Sequence, residues 1–88
     1  MATDKDSSQI SARLLTLLTN VAPDIDPVAV VPDRDLRDQF DFDSMDTLHF
    51  ATEIGREFGI DVPEKDYAHL ASLRKACDYL QDKLRTRA

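Results

Sequence analysis

The sequence predicts a small all-α domain, a bundle of three to four helices with a long loop between the first two helices. Apolar residues recur at the spacing of one helical face in three separate segments, and no strand-like alternation of useful length competes with them. The chain has 88 residues, enough for one modest core. We therefore expect a single domain over residues 1–88, frayed at residues 1–7 and 85–88.

The first predicted helix begins at Ser7 or Ser8, because either hydroxyl can accept a free backbone N–H of the first turn. Pro23 ends this helix, and Pro27 and Pro32 keep the following loop out of regular structure. Its core face is a stripe of five apolar residues, Ile10, Leu14, Leu17, Leu18 and Val21.

The loop is long for a compact domain, so we expect it either to pack on itself or to have a functional reason. Its apolar residues are expected to tuck against the core; they are Val28, Val30, Val31 and Leu36. A single helical turn is expected at residues 33–36.

The second helix is predicted at residues 44–58, with its core stripe at Phe50, Ala51, Ile54 and Phe58. Gly59 can adopt the left-handed conformation that ends a helix. A short helix near 64–69 follows, and Ser72 caps a final helix. The core stripe of that helix is Leu73, Ala76, Cys77, Leu80 and Leu84.

Composition excludes several classes of protein. An apolar fraction of 42% with 32% charged residues is typical of a folded globular chain, and no run approaches 18 apolar residues. The formal charge of −6 disfavours nucleic acid and anionic membranes as partners. The polar start lacks the apolar segment of a signal peptide, and the one cysteine suits a reducing compartment. We expect a monomer in the cytoplasm.

The negative charge is concentrated in one segment. Between Asp24 and Asp46 there are eight aspartates against two arginines, a net charge of 2 − 8 = −6. A solvated acidic loop is the simplest explanation of this segment taken alone. Because the segment leads into a serine that is suited to modification, we interpret it as a surface that attracts basic partners.

That serine lies within Asp41-Phe42-Asp43-Ser44-Met45-Asp46, at the predicted start of the second helix. Asp43 or Ser44 can accept the N–H groups of the first turn, and Ser44 then lies outside the apolar stripe and open to solvent. A phosphate attached there would meet backbone N–H groups and the positive end of the helix dipole. Ser44 taken alone would be interpreted as a helix cap. Together with the flanking motif and the helix that follows, its position suits a phosphoester.

The motif Asp43-Ser44-Met45-Asp46, the helix after it and Phe58-Gly59-Ile60-Asp61-Val62-Pro63 together resemble the acyl carrier protein family. The resemblance covers roughly residues 31–84. It implies that Ser44 carries covalent 4′-phosphopantetheine, whose thiol holds acyl intermediates as thioesters. The implied partners are a phosphopantetheinyl transferase and acyl-loading, acyl-transferring or condensing enzymes with basic docking patches.

The resemblance also implies a partner-docking surface next to Ser44. We expect it at Asp43, Met45, Asp46, Leu48, His49 and Thr52. Two of these residues depart from the family pattern: Met45 stands where leucine is usual, and His49 stands where a carboxylate is usual. Met45 and Leu48 could instead close the edge of the core.

Two other functions are compatible with the sequence. Aminoacyl or peptidyl carriers of nonribosomal synthesis share the attachment chemistry, although the acidity and the lack of a glycine before Asp43 favour the acyl type. An unmodified acidic helical adaptor is an alternative from another class. The chain could serve fatty acid, polyketide or specialised lipid synthesis.

Catalysis and metal binding are disfavoured. Ser44 lacks a Gly-x-Ser-x-Gly turn, and His49 lies about 140° around the helix from it, too far to act as its base. A calcium loop starting at Asp41 would need a ligand where Met45 stands and a glutamate where Thr52 stands. No His or Cys lies at ligand spacing from His69, which we predict to be a surface residue, and Cys77 is predicted to be a buried apolar residue.

Overall fold

The computed structural model describes the backbone of residues 7–86 and the side chains of residues 9–85, and every regular element in this range is helical. Four α-helices follow one another: α1 (Ser7–Val21), α2 (Leu36–Gln39), α3 (Ser44–Phe58) and α4 (Leu73–Thr86). Two 3₁₀ segments occur, Pro27–Ala29 in the first loop and Glu64–Leu70 before α4. The predicted all-α bundle is confirmed.

The three long helices enclose one core. Helix α1 packs against both α3 and α4, and the Glu64–Leu70 segment closes the side between α3 and α4. The side chains at the centre have 0–1% of their surface exposed; they are Leu14, Leu18, Leu36, Phe50, Ile54, Leu70 and Leu80. The predicted stripes of all three long helices therefore face the core, with Val21, Phe58 and Leu84 only partly buried at its edge.

Both predicted helix boundaries around α3 and α4 are confirmed. Gly59 ends α3 with φ 67°, and its N–H donates to the carbonyl of Gly55. Ser72 lies just before α4, where its hydroxyl accepts the N–H of Lys75 at 3.1 Å. Ser7 is already helical, and α4 continues through Arg85 and Thr86, where fraying was expected. The other terminal residues named in that expectation, 1–6 and 87–88, lie outside the described residues.

The loop between α1 and α2 departs from the prediction in two ways. Val30 and Leu36 pack on the core as expected, but Val28 is 89% exposed and Val31 is 42% exposed, so their predicted burial is wrong. The helical turn lies at Leu36–Gln39 instead of 33–36, because Asp35 is the cap: its carboxylate accepts the N–H of Arg37, and the turn begins at the next residue, Leu36. Ile25 and Phe42 supply buried apolar surface that the prediction lacked.

Polar contacts hold this loop in place. The side-chain amide of Gln39 accepts the N–H of Val31 at 2.7 Å and donates to the carbonyls of Val31 and Arg34 at 2.9 and 2.8 Å. The N–H of Leu36 donates to the carbonyl of Ala71 at 2.8 Å, which ties α2 to the segment before α4. These bonds bring α2 next to the start of α3, where the candidate site lies.

Candidate functional site

Helix α3 begins with a reciprocal capping box. The carboxylate of Asp43 accepts the N–H of Asp46 at 3.0 Å, and the carboxylate of Asp46 accepts the N–H of Asp43 at 3.1 Å. Each carboxylate satisfies one N–H that the helix itself leaves without a partner. The two negative charges also interact favourably with the positive end of the helix dipole.

This box assigns capping to Asp43 and Asp46, and the Ser44 side chain takes no part in it. Ser44 is the first residue of α3 and is exposed to solvent, as predicted. A hydroxyl at this point can be reached by another protein, while Phe42 immediately before it is buried and anchors the chain. The Phe42 and Phe50 rings meet edge to face with centroids 6.3 Å apart, so the start of α3 is fixed to the core.

Beside Ser44 lies a cleft of about 310 Å³ between α2, the start of α3 and the Glu64–Leu70 segment. Its apolar lining is Leu36, Phe42, Ala68, Leu70 and Ala71, and its polar lining is Asp35, Arg37, Ser44, Thr47 and Tyr67. A flexible group attached to Ser44 could therefore leave the exposed hydroxyl and still reach an apolar surface. Nothing in the sequence pattern indicates this cleft, because its walls come from three separate segments.

The predicted docking residues lie on α3 opposite its core stripe. Met45 and Leu48 are 56% and 40% exposed, and His49 and Thr52 are exposed beside them. Their spacing of three and four residues places them on one helical face. We call Met45, Leu48, His49 and Thr52 the docking face. Asp43 and Asp46 lie at its N-terminal end, where the box also engages them.

The structure gives Asp46 a capping role that the prediction did not include. Its reciprocal bond with Asp43 makes it part of the helix start as well as part of the acidic surface. The signal was present in the sequence as an acidic residue three positions after the cap, although the usual box has Glu or Gln there.

Two titratable groups with shifted pKa values lie in the α4 region, away from the cleft lining. Burial raises the pKa of the Cys77 thiol, and the neighbouring Asp78 carboxylate adds to the shift. Burial also raises the pKa of Tyr79, together with the hydrogen bond that its hydroxyl donates to Asp66 at 2.6 Å. His69 is exposed and stacks on the Tyr79 ring with centroids 5.2 Å apart. These contacts fasten the Glu64–Leu70 segment to α4.

Among the side chains of residues 9–85, no group of three or more His, Cys, Asp or Glu is placed to hold a metal ion. The same part of the chain contains no helix long and apolar enough to cross a membrane.

The exposed serine, the capping box and the adjoining cleft define a small helical domain suited to carrying a group on a phosphoester. Residues 12–80 match the family described as the phosphopantetheine attachment site. The chain is 25% identical over 75 residues to acyl carrier protein 2, mitochondrial, of Arabidopsis thaliana, and 25% identical over 60 residues to an acyl carrier protein of Thermosynechococcus vestitus. It is 27% identical over 73 residues to a meromycolate extension acyl carrier protein of Mycolicibacterium aurum.

These matches cover 85%, 68% and 83% of this chain. They span 59% of the Arabidopsis protein and 74% of each of the other two. Because the family match covers most of the chain, the protein belongs to the acyl carrier protein family, with 4′-phosphopantetheine as the prosthetic group of its attachment domain. The site described above fits that group, since it offers an exposed hydroxyl at a helix start and an apolar surface within the same cleft.

Proposed function

We propose that Ser44 is the residue that carries 4′-phosphopantetheine and that the protein transports acyl groups between separate enzymes. The observation that carries this proposal is that Ser44 is exposed at the first position of α3 while Asp43 and Asp46 do the capping. Its hydroxyl can therefore be modified without removing a bond that the helix needs.

The prosthetic group supplies a thiol that can hold an acyl chain as a thioester. The chain's own residues hold and display it. At the helix start, backbone N–H groups and the helix dipole favour the negative phosphate. The apolar cleft residues can shelter part of an acyl chain, and each buried methylene gains roughly 0.8 kcal/mol. A partner enzyme must offset that gain to draw the chain out, so the cleft favours retention between enzymes.

The docking face is the surface that we assign to partner recognition. Met45 and Leu48 offer apolar side chains that the core does not cover, and Asp43 and Asp46 lie at the N-terminal end of the same face. An exposed apolar patch with an acidic rim suits enzymes that have an apolar pocket with a basic rim. We expect a phosphopantetheinyl transferase and acyl-loading, acyl-transferring or condensing enzymes to use it, with the carrier acting as a cytoplasmic monomer without catalysis of its own. The acyl groups would serve fatty acid, polyketide or specialised lipid synthesis.

The test is modification by coenzyme A and a broad-specificity phosphopantetheinyl transferase, followed by intact-mass spectrometry. The wild-type protein should gain one phosphopantetheinyl group, and Ser44→Ala should gain none. Ser11→Ala is the matched control, because it removes a hydroxyl from α1 and should leave the modification intact. A wild-type protein that stays unmodified with several transferases would reject the carrier function in favour of an unmodified adaptor.

The modified protein also separates the two carrier types. Presented with a fatty acyl-transferring enzyme and with an amino-acid-activating enzyme, it should accept the fatty acyl group. Loading with an amino acid alone would assign it to the aminoacyl or peptidyl carriers.

A further inference from the structure

One cationic side chain borders the cleft beside Ser44. The acidic segment from Asp24 to Asp46 contains two arginines, Arg34 and Arg37. Arg37 lines the cleft together with Ser44, whereas Arg34 is not part of its lining. The two residues have the same side chain and lie three positions apart, so a comparison between them separates the effect of position on the cleft from the effect of charge.

Hydrogen bonds fix the backbone at Arg37, whereas its guanidinium takes part in none of the ion pairs among residues 9–85. Its N–H donates to the Asp35 carboxylate at 3.1 Å, and the neighbouring N–H of Leu36 donates to Ala71 at 2.8 Å. Within residues 9–85, the ion pairs of the structure involve arginines 13, 56, 74 and 85, and Arg37 takes part in none of them. Arg34 takes part in none of them either, so what distinguishes Arg37 is its place on the cleft wall beside Ser44.

The capping box leaves the start of α3 open to an anion. The carboxylates of Asp43 and Asp46 each accept the backbone N–H of the other residue. The N–H groups of Ser44 and Met45 take no part in the box. A phosphodiester on the Ser44 hydroxyl would approach these groups, but it would also stand close to the carboxylates of the same segment. Like charges at short range destabilise one another, so an adjacent cation would offset the repulsion.

We propose that Arg37 binds the phosphodiester of the prosthetic group on Ser44 and thereby directs the arm into the adjoining cleft. The guanidinium presents paired donors that match two phosphate oxygens. Asp35 borders the same cleft and opposes the phosphate, but one of its oxygens already accepts the N–H of Arg37. From this anchor the arm would run along the apolar lining beside Phe42 and Leu70. Arg37 is thus a positioning residue, and this role rests on the proposed attachment at Ser44.

The test uses the phosphopantetheinylated protein with an isotope-labelled arm. Two quantities are measured by NMR: the ³¹P chemical shift of the phosphodiester and the order parameter of the arm amide nearest to it. In Arg37→Gln the ³¹P resonance should shift, and the order parameter should fall to below about 0.6, the range of flexible groups. Arg37→Lys should restore part of the order through its point charge. Arg34→Gln is the matched control and should leave both quantities at their wild-type values.

Raising the salt concentration gives an independent readout, because an exposed ion pair weakens as the Debye length shrinks from about 8 Å at 0.15 M to about 3 Å at 1 M. The wild-type ³¹P shift should move toward that of Arg37→Gln, whose own shift should stay nearly constant. Equal values in wild type, Arg37→Gln and Arg34→Gln would overturn the role of Arg37 while leaving attachment at Ser44 intact. A wild-type chain that accepts no arm would instead overturn the proposed function, and the role of Arg37 with it.

Discussion

Helix α3 has two apolar faces, and only one of them belongs to the core. On one face, Phe50 and Ile54 have no exposed surface and Ala51 has 3%. On the other, Met45 is 56% exposed and Leu48 is 40% exposed. The two sets have similar hydrophobicity and lie within a single helix of 15 residues. Their difference therefore reflects what surrounds each face, not the residues themselves.

The two faces of α3 therefore meet different requirements: one is buried and stabilises the fold, and the other stays exposed to solvent. The core face meets α1 and the Glu64–Leu70 segment, and its packing fixes where α3 lies. The docking face meets solvent, so its residues are free to serve an external partner. An apolar face exposed to water lowers the solubility of a protein, and the negative charge of the nearby aspartates raises it again. The following variants test whether the two faces can be altered independently.

The largest difference is expected in stability. Ile54→Ala should lower the free energy of unfolding by about 2–5 kcal/mol, because it removes a fully buried side chain and leaves a cavity. Met45→Ala should change it by no more than about 0.5 kcal/mol, since the side chain is already more than half exposed. Urea unfolding monitored by circular dichroism measures both. In contrast, binding to an acyl-handling partner should weaken in Met45→Ala.

A loss of stability in Met45→Ala similar to that in Ile54→Ala would remove the distinction between the faces. The docking face would then be part of the core edge, and its assignment to partner recognition would fail.

A smaller effect should separate the two roles of the aspartates at the start of α3. Asp43→Ala removes the carboxylate that accepts the N–H of Asp46, so it should cost roughly 0.5–2 kcal/mol of stability. Asp41→Ala removes the same charge from an exposed position just before the helix, and its stability should stay within about 0.5 kcal/mol of wild type. Thermal or urea unfolding of the two variants provides the comparison.

Both variants remove one negative charge from the acidic surface. Their binding to a basic partner should therefore become less sensitive to salt by a similar amount, because long-range attraction depends on charge and not on capping. Equal stability losses would show that the capping box contributes nothing beyond charge.

The parts of the fold that the sequence could predict depend on local rules. The stripes of α1, α3 and α4 follow the helical period, Gly59 supplies a left-handed end and Ser72 supplies a cap, and all of these are confirmed. Ser44 was predicted to be exposed at a helix start for the same reason, and it is. Its attachment role and the partner contacts of the docking face stay predictions.

The loop between α1 and α2 shows where local rules fail. Four apolar residues stand within nine positions there, and burial was predicted for all of them, yet Val28 and Val31 are exposed. Helical periodicity does not encode the hydrogen bonds that hold this loop, which are those of Gln39 to Val31 and of Leu36 to the distant Ala71. The cleft beside Ser44 depends on the same long-range contacts, so neither it nor the place of Arg37 in its wall could be predicted from periodicity.

The smallest effect concerns His49, where the docking face departs from the family pattern. His49 is exposed and borders a shallow pocket with Asn20 of α1 and with Thr52, Glu53 and Arg56 of α3. It lies one turn before Glu53, which pairs with Arg56 at 3.5 Å. A glutamate at position 49 would add a permanent negative charge near that pair, within reach of a docked enzyme but remote from the cleft lining.

We expect His49→Glu to strengthen binding to generic fatty acid synthesis enzymes by roughly 0–1 kcal/mol, the range of one exposed ion pair. The physical reason is that their basic docking patches would gain a permanently charged carboxylate as a partner, whereas wild-type histidine suits a narrower set of partners. Modification of Ser44 should stay largely unchanged, and His49→Gln controls for loss of the ring without added charge. Affinities can be compared by calorimetry at fixed ionic strength. If His49→Glu binds these enzymes no better than His49→Gln does, position 49 does not select partners, and docking depends on the other three residues of the face and on the aspartates at its N-terminal end.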